Sequence, residues 1–313
     1  MLAYVIRRLF STVIVMAVVA FVVFLLLYLT PGDPAAILAG DAATVDDIRR
    51  VRESLGLDRP FIIRFGEWAG ALLRGDLGTS IFTNLPVTRL IGQRIEPTLA
   101  LTLCTLLVAV LVAVPMGVVA AAKAGTWIDR LVMGFTVLGF SVPVFVLAYI
   151  LIMVFSIELD WLPVQGYRPI SDGLWEWARH LVLPSLALGT VYIALIARIT
   201  RASMLDVLAQ DYIRTAQAKG LASDKVLVGH ALKNAAVPIM TVIGIGIALL
   251  IGGAIVTETV FAIPGIGRLT VDAILRRDYP IIQGVILIFS GAYVLINLAV
   301  DLSYMFFDPR IRF

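Results

Sequence analysis

The 313-residue chain has one cysteine, two histidines and charge on only 15% of its residues. With Cys104 alone, no internal disulfide can form, so a disulfide scaffold is excluded. An ordinary soluble domain carries charge on about 25% of its residues, and a chain of this length would need far more polar surface than is present. Disorder and a collagen-like architecture are excluded by the same composition. Counting Gly in place of Tyr, about 65% of the chain is apolar, against about 45–50% in soluble domains. The mean hydropathy of +0.97 agrees. What remains is an all-α integral membrane protein.

Long uncharged runs carry that reading. They cover residues 9–29, 98–122, 131–157, 181–197, 234–257 and 279–300. A helix needs about 20 apolar residues to cross the hydrocarbon core, with about 17 as the lower limit. Six crossings therefore fit, the fourth extending past Arg198, whose stem can snorkel. A β-barrel would show short alternating segments instead. The first run follows Arg7 and Arg8 and exceeds the about 7–15 residues of a secretory apolar region, so it reads as a retained anchor.

Six crossings put both termini on one side of the membrane. That side carries twelve basic and five acidic residues, and the other side thirteen and sixteen. Lys and Arg in short loops mark the cytoplasmic face. With the long 31–97 segment set aside, only five basic residues stay on the far side. Both termini are thus expected to be cytoplasmic. The basic balance is then a matter of topology and gives no argument for nucleic-acid binding.

The chain divides into 1–30 (cytoplasmic end and first span), an extracytoplasmic helical segment 31–97, and a transmembrane core 98–313 with a cytoplasmic loop at 200–234. The 31–97 segment opens on Pro31-Gly32-Asp33-Pro34, which cannot continue the first helix. Thr44 with Asp46 and Asp47 marks a helix start, and Gly56 its stop. Phe61, Phe65, Trp68 and Leu72 predict a second amphipathic helix, and Val87, Leu90, Ile91 and Ile95 a third. The segment is either a cap or a docking surface for a soluble partner. Farther on, Pro264-Gly265-Ile266-Gly267 predicts a tight turn using positive φ at glycine. In the cytoplasmic loop, Asp211 is expected to cap a short helix through Ala218, with Lys219 at its negative end and Gly220 past it. Ala216, Ala218 and Gly220 permit close backbone approach. Such a helix suits a groove on another protein, although an ordinary surface helix has the same composition.

The loop run DYIRTAQAKGL, followed by HALKNAAVP, resembles the cytoplasmic loop of permease subunits in the dipeptide/oligopeptide branch of bacterial ABC importers. Other stretches match the same family in order from end to end: YVIRRL, LTPGDP, GLDRP, GDLGTS, GFSVPVF, DWLPVQGY, HLVLPSLALG, ETVFAIPGIGRL, RDYPIIQG and DPRIRF. The broader importer loop has Glu-Ala-Ala, three residues, then Gly. Here Arg214 replaces that Glu, followed by Thr215, Ala216 and Gly220. This departure suits the peptide branch and removes any ion pair built on the Glu.

The resemblance implies a type I importer permease in the bacterial inner membrane. Its partners would be a second homologous permease, two cytoplasmic ATPases and an extracytoplasmic substrate-binding protein, with lipid around it. It also implies that Asp211, Tyr212, Arg214, Thr215, Ala216, Lys219, Gly220 and Leu221 form the coupling helix. The implied solute is a di- or oligopeptide or a small peptide such as glutathione. Nickel and oligosaccharide importers use similar permeases and stay open as alternatives.

No G-x-x-x-x-G-K-[ST] run offers a phosphate nest, so ATP and Mg are expected on partner subunits, with no cofactor in this chain. An intramembrane enzyme lacks support too. G-x-S-x-G is missing, and His180 and His230 are assigned to opposite faces, so no catalytic residue or metal site is expected. A self-contained secondary carrier is the remaining rival. Such carriers place ionisable groups near the bilayer midplane, and no span here has a charge near its centre. Asn297 and Asp301 read as a local polar contact at the end of the last span. Ser141, Pro143, Tyr192 and Asn297 are candidates for a translocation path, because proline in a span frees a backbone carbonyl that a cavity can accept. Small residues in the fifth span, including Gly246 and Gly253, read as helix packing.

Overall fold

The computed structural model describes residues 2–29, 33–40, 43–54 and 56–307, without the side chains of 2–9, 27, 34, 37, 248, 251 and 300–307. Thirteen helices follow in order: α1 Leu2–Leu29, α2 Pro34–Ala39, α3 Val45–Ser54, α4 Phe61–Leu73, α5 Val87–Ala122, α6 Trp127–Ser141, α7 Val144–Leu151, α8 Leu174–Leu208, α9 Asp211–Ala218, α10 Ser223–Lys225, α11 Lys233–Val260, α12 Ile266–Arg276 and α13 Tyr279–Phe307. Wider π-type turns continue α7 over Ile152–Glu158 and join α10 to α11 over Val226–Leu232. No strand occurs among the described residues, only an isolated bridge between Thr79 and Pro86. The expected turn at Pro31-Gly32, the side chains of Arg7, Arg8 and Asp301, and the terminal DPRIRF lie outside the described residues.

Among the described residues, four helical stretches are long and apolar enough to cross a membrane: Val87–Ala122, Leu174–Leu208, Ser223–Ile247 and Tyr279–Ala299. In α1 the described apolar stretch is the shorter Phe10–Leu26. The run at 131–157, expected as one crossing, is two helices bent by 105°. Pro143 is the cause. Its ring disfavours helical backbone at the preceding residue, and Val142 is extended at φ −89° and ψ 120°. Pro184 and Pro238, in contrast, sit inside α8 and α11 without ending them. The fourth run does extend past Arg198, whose guanidinium lies 5.0 Å from the Phe140 ring centroid.

The helices cluster into two compact units. One comprises residues 1–96 and 265–294, the other 97–264 and 295–313. In the first unit, α3 begins with a reciprocal cap. The Thr44 hydroxyl accepts from the Asp47 N–H, and the Asp47 carboxylate accepts from the Thr44 N–H at 3.1 Å. The Thr44 hydroxyl also donates to the Asp47 carboxylate at 2.6 Å, and this bond, with the one from the Thr44 N–H, holds the Asp47 carboxyl below the usual carboxylate range. Helix α4 packs on α1 through aromatic rings. Phe24 lies 5.3–5.4 Å from Phe61, Phe65 and Trp68, pairs worth about 0.5–1.5 kcal/mol each beyond area burial.

The GDLGTS and RDYPIIQG stretches meet in the same unit. The Ser80 hydroxyl donates to the Asp278 carboxylate at 2.5 Å, and the Ile81 N–H donates to it at 3.2 Å. A Cβ on Gly284 would stand 2.7 Å from Val87 Cγ1, so only glycine lets the start of α13 approach α5 there. Val87, Leu90 and Ile91 then pack with Ile266, Leu269, Ile281 and Val285 as this unit's core. The Pro264-Gly265-Ile266-Gly267 run has no positive φ. Gly265 is extended and caps α12, and Ala262 takes φ +51° instead.

The second unit is organised around α8, which packs against α6, α7 and α11. Small residues set the approach: a Cβ on Gly117 would lie 2.6 Å from Thr200 Cβ, and one on Gly253 2.9 Å from Leu188 Cδ1. The core includes Leu101, Leu181, Leu188, Ile196 and Met204.

Candidate functional site

Helix α8 runs to Leu208, and two residues later the chain enters α9, the loop helix. Asp211 is its first residue and does not cap it. Gln210 occupies the N-cap position, and no side chain closes that end. Asp211 contributes charge in the first turn and a backbone carbonyl that accepts from the Thr215 hydroxyl at 3.0 Å. The other end closes as a Schellman motif. The Gly220 N–H donates to the Gln217 carbonyl at 2.9 Å and the Leu221 N–H to the Ala216 carbonyl at 3.3 Å. Gly220 holds φ +79°, which an L side chain adopts only with strain.

One face of α9 is spent on packing. Ile213 is 0% exposed, and Ala216 and Leu221 pack with it into the core of the second unit. Asp211, Tyr212, Arg214, Thr215, Lys219 and Gly220 stay exposed. Ala216, expected on a small docking face, therefore points inward. Ile213 escaped the sequence reading. Its signal was there, as the one large aliphatic side chain in an otherwise small and polar helix. Ser223 likewise begins α10 as its first residue, with Ala222 at the cap position.

A buried ion pair braces the helix that carries this loop. Arg201 donates to both Asp129 oxygens, Nε at 2.5 Å and Nη2 at 2.7 Å, and the Gly125 N–H adds a third bond at 2.9 Å. The Asp129 side chain is 6% exposed. The pair joins the first turn of α6, and through Gly125 the turn before it, to α8, ten residues before α9.

The candidate path residues do not form one polar surface. Ser141 is exposed at the α6–α7 break beside Pro143, and its hydroxyl donates to the Val137 carbonyl at 2.9 Å. Tyr192 is buried in the core, its ring against Gly246 and its hydroxyl against Gly253. Asn297 is half-buried on α13. The sequence reading missed a polar seam in the second unit. Thr98, Thr102 and Thr105 follow at i, i+4 and i+7 on α5, all buried, and the Thr98 hydroxyl donates to the fully buried Glu258 at 2.6 Å. The Thr105 and Ser185 hydroxyls are buried without a partner. Among the described residues, no three His, Cys, Asp or Glu side chains gather as a metal site.

Residues 113–313 match the family described as binding-protein-dependent transport system inner membrane component, and residues 1–102 match its N-terminal companion. The chain belongs to this family. A probable peptide ABC transporter permease protein of Sinorhizobium fredii is 55% identical over 310 residues, 99% of each chain. The glutathione transport system permease protein GsiC of Salmonella typhimurium is 44% identical over 313 residues, 100% of each. Among solved structures, the inward-facing MetNI methionine ABC transporter aligns with a TM-score of 0.59 at 18% identity, covering 71% of this chain and 97% of that one. That likeness concerns the fold. The protein is therefore an inner-membrane, multi-pass permease of the peptide ABC importer branch, and such a permease works with an ATPase and a substrate-binding protein.

Proposed function

We propose that this permease forms half of an ATP-driven import pathway for di- or oligopeptides, or for a related small peptide such as glutathione. It crosses the membrane six times with both termini cytoplasmic, in a type I arrangement. A second homologous permease supplies the other half, two ATPases hydrolyse ATP with Mg, and an extracytoplasmic binding protein delivers the solute. This chain carries no catalysis and no cofactor of its own. Closure of the ATPases moves the docked loop helices, and rigid-body rotation reverses the side to which the path opens. Ser141, Pro143, Tyr192 and Asn297 remain the path candidates.

The observation that carries this reading is α9 itself. It is anchored from beneath by Ile213, closed at its end by Gly220, and exposed on Asp211, Tyr212, Arg214, Thr215 and Lys219. Those residues with Ala216, Gly220 and Leu221 are the coupling helix, in which Ala216 and Leu221 hold position and the exposed ones meet the ATPase. A test must spare the buried face, so Ala216→Arg would report packing and Gly220→Glu backbone strain. Tyr212→Ala with Arg214→Glu alters only exposed groups. Losing a central aromatic and reversing an Arg at an interface should cut ATPase stimulation by loaded binding protein at least about tenfold. Uptake should fall with it, while insertion and thermal stability of the purified permease stay unchanged. Normal stimulation and uptake in that double variant would sink the coupling assignment.

A further inference from the structure

A cavity of about 660 Å³ opens within the first unit, beside the end of α1 away from its N-terminus. Its wall combines the rings of Phe24, Tyr28 and Trp68 with three arginines and two carboxylates. Two of the arginines are neutralised in place. Arg52 lies 2.5 Å from Asp33, and Arg59 Nη1 lies 2.9 Å and 3.2 Å from the two Glu67 oxygens. Arg64 is different. Its guanidinium sits 5.8 Å from the Tyr28 ring centroid, and no carboxylate neutralises it among the described residues. The cavity thus holds one uncompensated positive charge, half-buried, on a planar fork of five N–H donors suited to phosphate.

The surroundings identify the source of the anion. Helix α4, which carries Arg64, leaves Ile62 80% and Leu73 90% exposed. On α1, Phe21, Leu26 and Leu29 are exposed beside the two residues that enter the cavity wall. An amphipathic helix with bare aliphatic side chains, packed through aromatic rings on an apolar helix end, has the composition of a bilayer interface. A free anion would answer the charge on Arg64 and leave those aliphatic groups in water. A lipid covers both.

We propose that this cavity binds the headgroup of a phospholipid. Its phosphate sits on Arg64, its glycerol region rests against Phe24, Tyr28 and Trp68, and its acyl chains follow the exposed side of α1. With a net charge of +1, the site favours a headgroup whose phosphate is not balanced by an attached cation. Phosphatidylglycerol should therefore be retained over phosphatidylcholine.

The assay is native mass spectrometry of the full importer, purified from nanodiscs of equal phosphatidylglycerol and phosphatidylcholine content. The readout is bound lipid, so its outcome is independent of which solute the importer carries. Arg64→Gln should lower phosphatidylglycerol retention about fivefold, the worth of one interfacial Arg. Arg64→Lys, which keeps the charge and loses the fork, should fall between. Arg74→Gln, an exposed change at the end of the same helix, should leave retention intact, and millimolar glycerol phosphate should fail to displace the lipid. Equal retention in the Arg64→Gln and original proteins would overturn the site. So would equal loss in Arg74→Gln, which would mean diffuse surface charge, or displacement by glycerol phosphate, which would mean a soluble-anion site.

Discussion

Ile213 and Gly220 show how single residues of the loop helix divide its work. Ile213 is fully buried, so Ile213→Ala removes three carbons from a packed core and should cost about 2–5 kcal/mol. The expected result is a lower midpoint in thermal unfolding of the purified permease together with weaker ATPase stimulation, because the helix loses its seat. Unchanged unfolding would mean that Ile213 is not held as tightly as its burial indicates. Gly220 acts through backbone alone, since nothing lies within 4 Å of an added Cβ and only its positive φ resists substitution. The motif DYIRTAQAKGL made Gly220 legible, because a glycine past a short helix has one common conformational use. Ile213 was visible as a residue and not as an anchor, since burial depends on what α8 and the 226–232 turn bring beneath it. Glu258 is the same lesson at the other end of the second unit. It stands one residue beyond an uncharged run and reads as an outer-loop charge, yet it is fully buried against Thr98, a partner 160 positions away.

At the scale of elements, helix identity followed from local signals, whereas helix direction followed from packing. Helices α3 and α4 begin and end close to where Thr44, Gly56 and the Phe61-to-Leu72 spacing place them. The 131–157 run was harder. Its hydropathy is continuous, and Ser141 and Pro143 announce an interruption without giving its angle. The 105° bend emerges only once α7 has α8 and α11 to pack on. The Asp129–Arg201 pair, also invisible as a pair in the sequence, makes α8 and the α5–α6 turn one mechanical piece. Asp129→Leu leaves the guanidinium without its carboxylate. That should cost on the order of 2–3 kcal/mol, below the about 3–5 kcal/mol of a fully buried pair, because a quarter of the Arg201 side chain reaches solvent. Asp129→Leu with Arg201→Met should recover part of the loss, since neither partner is then stranded. Uptake should not recover with stability if the brace transmits motion from the loop helix. A double variant with full uptake would reduce the pair to a stabilising contact. A single Asp129→Leu variant with unchanged unfolding would remove even that.

For the whole molecule, the decisive quantity is the number of crossings, because it sets which face the loop helix presents. Six crossings would place the loop helix and both termini together in the cytoplasm, on the face to which that count assigns twelve basic residues. That count takes α6 and α7 as one traverse despite the bend between them. A bend of 105° also suits a re-entrant pair that dips into the bilayer and returns. The two ends of the pair tell the arrangements apart. If the pair crosses, Thr126 and Trp161 lie on opposite faces; if it returns, they share one. Both residues are exposed, and Cys104 is the chain's only cysteine, so a Cys104→Ser background gives a clean test. In intact cells with a permeabilised outer membrane, a membrane-impermeant maleimide should label Trp161→Cys. It should reach Thr126→Cys and Lys219→Cys only after the inner membrane is opened. Labelling of Thr126→Cys and Trp161→Cys from the same side would make the pair re-entrant. The termini would then face opposite sides, and the charge asymmetry that orients the chain would have to be counted again from α8 onward.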